Sequence, residues 1–329
     1  MIQALRTALA ALLLSALVGL ALAPLAAQAD TQTTAKKSKV AAKKPNVRLR
    51  QGFFADPRST AAVAAKSDSR FKKLAKTPQA LWVTDGYSVD KVKGVMQTYA
   101  KLAAKKKKTP VVAIYGIPNR DCGGFSSGGL TSAEYKRWIA KIAAGLKNHK
   151  AIAILEPDAV AQAAQSAHCN DADRAGLMRY ATRKLTKAGV WVYIDAGHSN
   201  WLSPAMMAAG LKASGIAEAR GFSTNVSSYQ PTANEVAYAE LLRAELRKLG
   251  IKGKHYVIET ARNGAGAAFN SDFCNPPQAR IGTKPRTIAQ GAFDAMLWVK
   301  HPGESDGTCN GGPNPGVWWP QNALQLLGL

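Results

Sequence analysis

Acidic side chains are scarce in this 329-residue chain: 21 Asp and Glu stand against 44 Lys and Arg, a formal charge of +23. Such an imbalance invites a nucleic-acid partner, but the charge is not organised for one. No helix-turn-helix, zinc-finger or RNP-type pattern accompanies it. Much of it lies in residues 30–50 and in Lys105–Lys108, at the end of an expected helix where cations suit the dipole. Solubility or surface adhesion accounts for it more simply. Cysteine is also sparse. Cys122, Cys169, Cys274 and Cys309 are widely spaced with no CxxC pair, which argues against a zinc site. Neither a metal nor a cofactor is expected. Residues 30–50 lack any aromatic residue and hold one acid, Asp30, against seven basic residues. They cannot bury enough apolar surface to offset their ordering entropy, so they read as a disordered basic tail. The bland reading is a solvated spacer; its charge also suits an anionic surface.

The N-terminus carries one basic side chain, Arg6, then an apolar run over residues 8–26 and the triplet Ala27-Gln28-Ala29. That order reads as a signal peptide over 1–29, with the mature chain starting at Asp30. A membrane anchor is the alternative, but no basic stop-transfer cluster follows the run. A secreted or periplasmic protein without stable membrane insertion is therefore expected. In an oxidising compartment the four cysteines form two disulfides, and three pairings remain open.

About 280 residues remain, enough for one large α/β domain over 51–329. Short β-rich apolar runs recur at 80–84, 111–115, 151–155, 190–194, 221–226, 256–260 and 295–299. Segments with helical spacing at 89–104, 132–148, 171–188 and 234–249 separate most of them. Alternation of this kind implies parallel pairing with right-handed crossovers. Seven such units suit a closed or nearly closed β/α barrel, roughly TIM-like, better than an open sheet.

In a parallel barrel all strand carboxyl ends face one rim, where active sites are built. Five strands deliver acids there: Asp121 after the second, Glu156 and Asp158 after the third, Asp195 at the fourth, Glu259 at the sixth, and Glu304 and Asp306 after the seventh. Any one alone could be a helix cap. Crowded together, they cost Coulomb energy and should raise some pKa values, which suits general-acid work. Glycoside hydrolysis uses such carboxylates, one protonating the leaving oxygen while a base handles water. Sugar rings stack on aromatics: Tyr115 and Trp201 lie at or near strand ends, with Phe54 and Trp82 as further wall candidates. Core packing is the competing account for each, and Trp201, in a loop six residues past Asp195, is the one expected to stack.

From about Phe53 onward the chain resembles glycoside hydrolase family 6, the secreted cellulases. The matching stretches are Tyr115-Gly-Ile-Pro-Asn-Arg-Asp-Cys122, Glu156-Pro-Asp158, Val192-Tyr-Ile-Asp-Ala-Gly-His-Ser-Asn-Trp201, Gly221-Phe-Ser-Thr-Asn-Val226, Arg262-Asn-Gly264, Cys274-Asn-Pro-Pro277 and Trp298-Val-Lys-His-Pro-Gly-Glu-Ser-Asp-Gly307. Each is weak alone; their shared order carries the assignment. The resemblance implies a distorted, roughly seven-stranded β/α barrel that cleaves β-1,4-glucan with inversion. It makes Asp158 the general acid and Asp121 the neighbour that keeps it protonated and joins a water relay. Asp306 matches the aspartate proposed as base, although the family's base step is also drawn through a water chain helped by Ser127. Asp195, His198, Trp201, Asn225, Lys300 and Glu304 match sugar-binding positions, and Tyr115 lies beside the ring at the cleavage point. Inversion places the acid and base carboxyls roughly 6.5–9.5 Å apart.

The resemblance also pairs Cys122 with Cys169 and Cys274 with Cys309. Exo-acting relatives roof the cleft with long loops. Here only eight residues separate Cys309 from Trp318, and the stretch after Cys122 reaches the next helix by about Thr131, so endo action in an open cleft is expected, with a tunnel-type exo enzyme second. The sequence departs from the family at Phe273, where tryptophan is common, at Glu259, where aspartate is usual, and at Gly128, where some relatives carry asparagine. No separate cellulose-binding domain is visible, so soluble or amorphous glucan is the expected substrate and a monomer the expected state. A non-catalytic glycan-binding protein is the competing class, disfavoured because Asp158 and Asp121 are both present.

Overall fold

Seven of the eight strands form where the apolar runs lie: β1 Leu81–Thr84, β2 Val111–Tyr115, β3 Ile152–Leu155, β4 Trp191–Asp195, β5 Gly221–Thr224 and β6 His255–Glu259, then, after β7 Arg286–Gln290, β8 Phe293–Leu297. They belong to a computed structural model that describes residues 46–170, 173–266 and 273–329. The segment read as a signal peptide and residues 30–45 of the basic stretch lie outside the described residues. The sheet order is β1-β2-β3-β4-β5-β6-β8-β7. Pairing is parallel from β1 through β6 to β8, and only β7 runs antiparallel, against β8. This is the distorted seven-stranded parallel β/α barrel with one added edge strand. Between β1 and β8 closure is slight. The backbone N–H of Ala80 donates to Trp298 O at 2.9 Å, and the Trp82 indole donates to Val299 O at 2.8 Å.

Ten helices complete the described chain: α1 Val47–Arg50, α2 Thr60–Ala64, α3 Lys72–Ala75, α4 Val89–Lys105, α5 Ser132–Leu146, α6 Ala159–Gln165, α7 Arg174–Lys187, α8 Pro204–Ala213, α9 Thr232–Lys248 and α10 Pro320–Leu327. The alternation within each strand sorts its side chains into two cores. Val112 and Ile114 of β2 face the helix layer with Met96, Trp138, Ile142 and Leu185. Val111 and Ala113 face the barrel interior with Ile152, Ile154, Val257 and Leu297. Each fully buried aliphatic side chain contributes about 1.5–3 kcal/mol, and both faces of the sheet are covered, as parallel pairing requires.

Three expectations change. Residues 46–50, read as the end of the disordered tail, are ordered: Asn46 caps α1, Leu49 joins the interior core, and the Arg48 guanidinium lies 4.9 Å over the Trp191 ring. Hydrogen bonds from the Thr109 and Thr287 hydroxyls to the carbonyls of Arg48 and Leu49 help seat this short segment. Phe54, a candidate sugar-facing ring, is instead core, edge-on to Tyr99 at 5.5 Å. The strand β7 carried no apolar run because its side chains are largely exposed.

No helix among the described residues is long and apolar enough to cross a membrane.

Candidate active site

The carboxyl ends of the strands gather the candidate acids. After β3 the backbone turns sharply, with Glu156 at φ 47° and Asp158 at φ 69°, left-handed conformations that cost non-glycine residues of order 1–3 kcal/mol each. Asp158 then precedes α6, yet its carboxyl makes no capping bond. The helix-cap explanation therefore fails for this residue, and its carboxyl is available for chemistry. Glu156 is spent on structure: its fully buried carboxylate accepts from the N–H groups of Gly116 and Ile117 at 3.0 and 3.1 Å, tying β3 to the turn after β2. Burial pushes its pKa up to about 7.

Asp158 sits against Asp195, the last residue of β4. The Asp158 N–H donates to Asp195 Oδ1 at 3.1 Å; Gly197 N–H and the Ser223 hydroxyl add bonds of 3.0 and 3.2 Å. Loss of hydration raises both carboxyls; the Asp195 charge raises Asp158 further, and the Glu259 charge adds to Asp195, which reaches about 7. Three donors favour the Asp195 anion, and its charge in turn favours the protonated form of Asp158. Asp121 adds its charge to the same effect on Asp158. Asp121 is itself raised by burial, against the pull of a 2.6 Å bond from Ser126 N–H. Tyr115 closes the group. Its phenol is held neutral by burial and by the charges of Asp158 and Asp121, and its ring stands edge-on to Trp82 at 5.3 Å.

A second cluster surrounds Asp306. Arg262 Nη1 donates to Oδ2 at 2.7 Å, Tyr229 hydroxyl at 3.0 Å and Asn275 N–H at 3.1 Å, while Lys300 Nζ lies 2.9 Å from Oδ1. Burial alone would raise this acid, but the two cations overwhelm it and hold it well below the usual carboxylate range. Glu259 lies between the clusters. It accepts from Ser227, Val299 and Lys300 N–H groups, burial lifts it to about 7, and its charge is felt by Asp195.

The other expected residues divide. His198 and Trp201 lie together, rings 5.5 Å apart. Burial lowers His198 to about 4, so it is neutral at ordinary pH. The Trp201 indole is fixed by a 2.6 Å bond to Gln165. Ser127 is exposed on the loop that carries Asp121. Asn225 is fully buried, its amide donating to Gln230 and Glu259 carbonyls and accepting from Gln230 N–H; it holds the strand end. Glu304 is ion-paired with His301 at 2.8 Å and accepts from Thr60 at 2.6 Å. Its pKa falls despite burial because of the His301 charge.

Disulfides join Cys122 to Cys169 and Cys274 to Cys309, with Cα separations of 5.3 and 6.1 Å. They brace the Asp121 and Asp306 loops. Those loops touch: the Phe125 ring lies against Gly307, leaving no room there for a Cβ. Among the described residues no cluster of His, Cys, Asp or Glu is placed to hold a metal ion. Sequence reasoning missed Tyr229, Asn275 and Asp85. The last follows β1 directly, so the strand-end rule would have found it; the others sit in loops with no such signal.

The sequence profile of glycosyl hydrolases family 6 matches residues 40–328. Endoglucanase A of Cellulomonas fimi is 41% identical over 84% of this chain, which spans 60% of that relative's length. Endoglucanase 1 of Streptomyces halstedii is 36% identical over 85% of the chain and 89% of its own length. Among solved structures, the endoglucanase Cel6 of Mycobacterium tuberculosis, in complex with methyl-cellobiosyl-4-deoxy-4-thio-β-D-cellobioside, superposes with a TM-score of 0.79 at 40% identity, covering 86% of this chain and 99% of that one.

Proposed function

Because the chain belongs to glycosyl hydrolase family 6, we propose that it is an endo-β-1,4-glucanase that cleaves cellulose-like chains with inversion, with Asp158 as the general acid. The observation that carries this is the uncapped, desolvated Asp158 carboxyl beside a triply hydrogen-bonded Asp195, whose charge raises it. A carboxylic acid kept protonated near neutral pH is what departure of an alkoxide requires. Asp158 gives its proton to the glycosidic oxygen as the C1–O bond breaks, and water adds to C1 from the opposite face. The water's proton goes elsewhere. Asp306, paired with Arg262 and Lys300, is too weak a base to take it directly. Asp121, with its raised pKa, is the better acceptor, reached through water past the exposed Ser127. Asp306 and Lys300 then serve as a fixed charged pair for sugar hydroxyls. Trp201 with His198 offers the stacking platform, and Tyr115 flanks the ring at the cleavage point.

Endo action is supported by the short rim segments after Cys122 and Cys309 and by the names of the two endoglucanase relatives. The exo reading has one observation in its favour, the Phe125–Gly307 contact. Two disulfides suit an oxidising compartment and hence secretion. Viscosity and reducing ends followed together on carboxymethylcellulose test the reading. We expect a fast viscosity fall with few new ends, reduced by roughly 10²–10⁴-fold in Asp158→Asn. Ends accumulating from amorphous cellulose without viscosity loss would favour exo action, and no turnover on either polymer would reject an enzyme.

A further inference from the structure

The segment from Asn119 to Gly123 is held in an unfavourable backbone shape. Asn119, Asp121 and Cys122 have φ of 50°, 61° and 49°, and Gly123 follows at 85°. Consecutive left-handed residues persist only where their surroundings over-determine them. One brace is the Cys122–Cys169 bridge; another is Arg174, which donates to the carbonyls of Pro118 and Asn119 at 3.2 and 3.0 Å. The third has no role in the chemistry described so far. Asp85 Oδ1 pairs with Arg120 Nη1 at 2.6 Å, and Asp85 Oδ2 accepts from Gly129 N–H at 2.9 Å. One carboxylate thus grips both ends of the loop bearing Asp121 and Ser127 and fastens them to the end of β1.

Arg120 is the other half of the device. Its guanidinium lies 4.9 Å over the Tyr115 ring and donates to the carbonyls of Tyr115 and Ser126 at 3.2 and 2.8 Å. It is one residue from Asp121, and its charge is felt by Asp121 and Glu156. Asp85 supplies its counter-charge. Gly128 makes the pairing possible, because a Cβ there would come within 2.8 Å of Arg120 Nη2 and 3.2 Å of Asp85 Oδ2.

We propose that Asp85 is a positioning residue for hydrolysis: it sets the Asp121 loop in place and holds the Arg120 guanidinium away from the working carboxylates. This rests on the roles given above to Asp158 and Asp121. The charged groups bearing on Asp158 are Asp195 from β4 and Asp121 from the loop; Arg120 acts on Asp121, its neighbour in the chain. With Asp85 neutral, the unopposed Arg120 charge favours the carboxylate form of Asp121 and makes it a weaker acceptor for the water's proton.

The test compares wild type with Asp85→Asn and the double variant Asp85→Asn/Arg120→Gln on a soluble cello-oligosaccharide. For Asp85→Asn, kcat falls about tenfold with little change in KM, and the acidic limb of the kcat/KM profile, which reports the proton acceptor, moves down by roughly half a pH unit. In the double variant the limb returns toward wild type while kcat stays low. Amide exchange over residues 119–130, followed by mass spectrometry, accelerates in both variants. An unshifted limb in Asp85→Asn, or a shift the second substitution leaves in place, overturns the proposal. If wild type hydrolyses nothing, the functional reading fails by itself; unchanged exchange over 119–130 then still refutes the positioning role, and locally faster exchange upholds it.

Discussion

At the scale of single residues, the proposed acid depends on the carboxyl beside it. Three donors favour the Asp195 anion, and its charge raises the pKa of Asp158. Asp195→Asn removes that like charge while preserving most of the hydrogen bonding. The alkaline limb of the activity profile should then move to lower pH by about one unit; a limb that stays in place would assign the high pKa of Asp158 to burial alone. Trp201 is a different kind of residue. Its ring is set by Gln165 rather than by the acids, so Trp201→Ala should raise KM on short oligosaccharides several-fold, by roughly 1 kcal/mol of lost stacking, with kcat nearly unchanged. The sequence made these residues legible as strand-end acids and a loop tryptophan. Strand-end position did not separate Asp158 from Glu156, two positions away and consumed by the N–H groups of Gly116 and Ile117; only the family resemblance singled out Asp158. Strand-end position is visible in a sequence; the direction of a carboxyl after a left-handed turn is not.

At the scale of elements, legibility followed apolar content. The seven parallel strands stood out because both their faces are buried, whereas β7, with exposed Arg286, Ala289 and Gln290, offered no run. The helix α8 also escaped notice, since its Ala- and Met-rich sequence has little amphipathic contrast. The loops are fixed by chemistry that spacing leaves open: three cysteine pairings were compatible with the residues, and the fold selects Cys122 with Cys169 and Cys274 with Cys309. Replacing Cys122 and Cys169 by serine should lower stability by about 2–4 kcal/mol, read from the guanidinium midpoint. An unchanged midpoint would mean that Asp85 and Arg174 brace the loop unaided.

At the scale of the whole molecule, the buried acids set how stability depends on pH. Glu156 and Glu259 have folded pKa values raised to about 7, so the native state binds more protons than the unfolded chain between their ordinary values and 7. Stability therefore falls as pH rises through that window. Asp294 acts in the opposite sense. Burial would raise it, but bonds from His255, Arg220 and Tyr193 hold it down. Its contribution is present above the ordinary aspartate value and is lost as pH falls below it. Together they place the highest Tm at about pH 4–5, and calorimetry across pH 3–8 checks this; Glu156→Gln should flatten the decline toward neutral pH. A Tm that climbs steadily to pH 8 would contradict the raised acids.

The meeting of Phe125 with Gly307 makes access to the site a matter of timing. On the exo reading, in which these loops roof the cleft, a strand laid in from its side waits for them to part while a free end slips beneath. One ring on one glycine is worth on the order of 1 kcal/mol, so the parted arrangement should be a minor state of roughly 15%, visited on the nanosecond-to-microsecond scale of loops. The balance between attack on interiors and attack on ends is then a population rather than a fixed shape. Trimming Phe125 to alanine should hasten the initial thinning of a polymer solution while short oligosaccharides turn over as before.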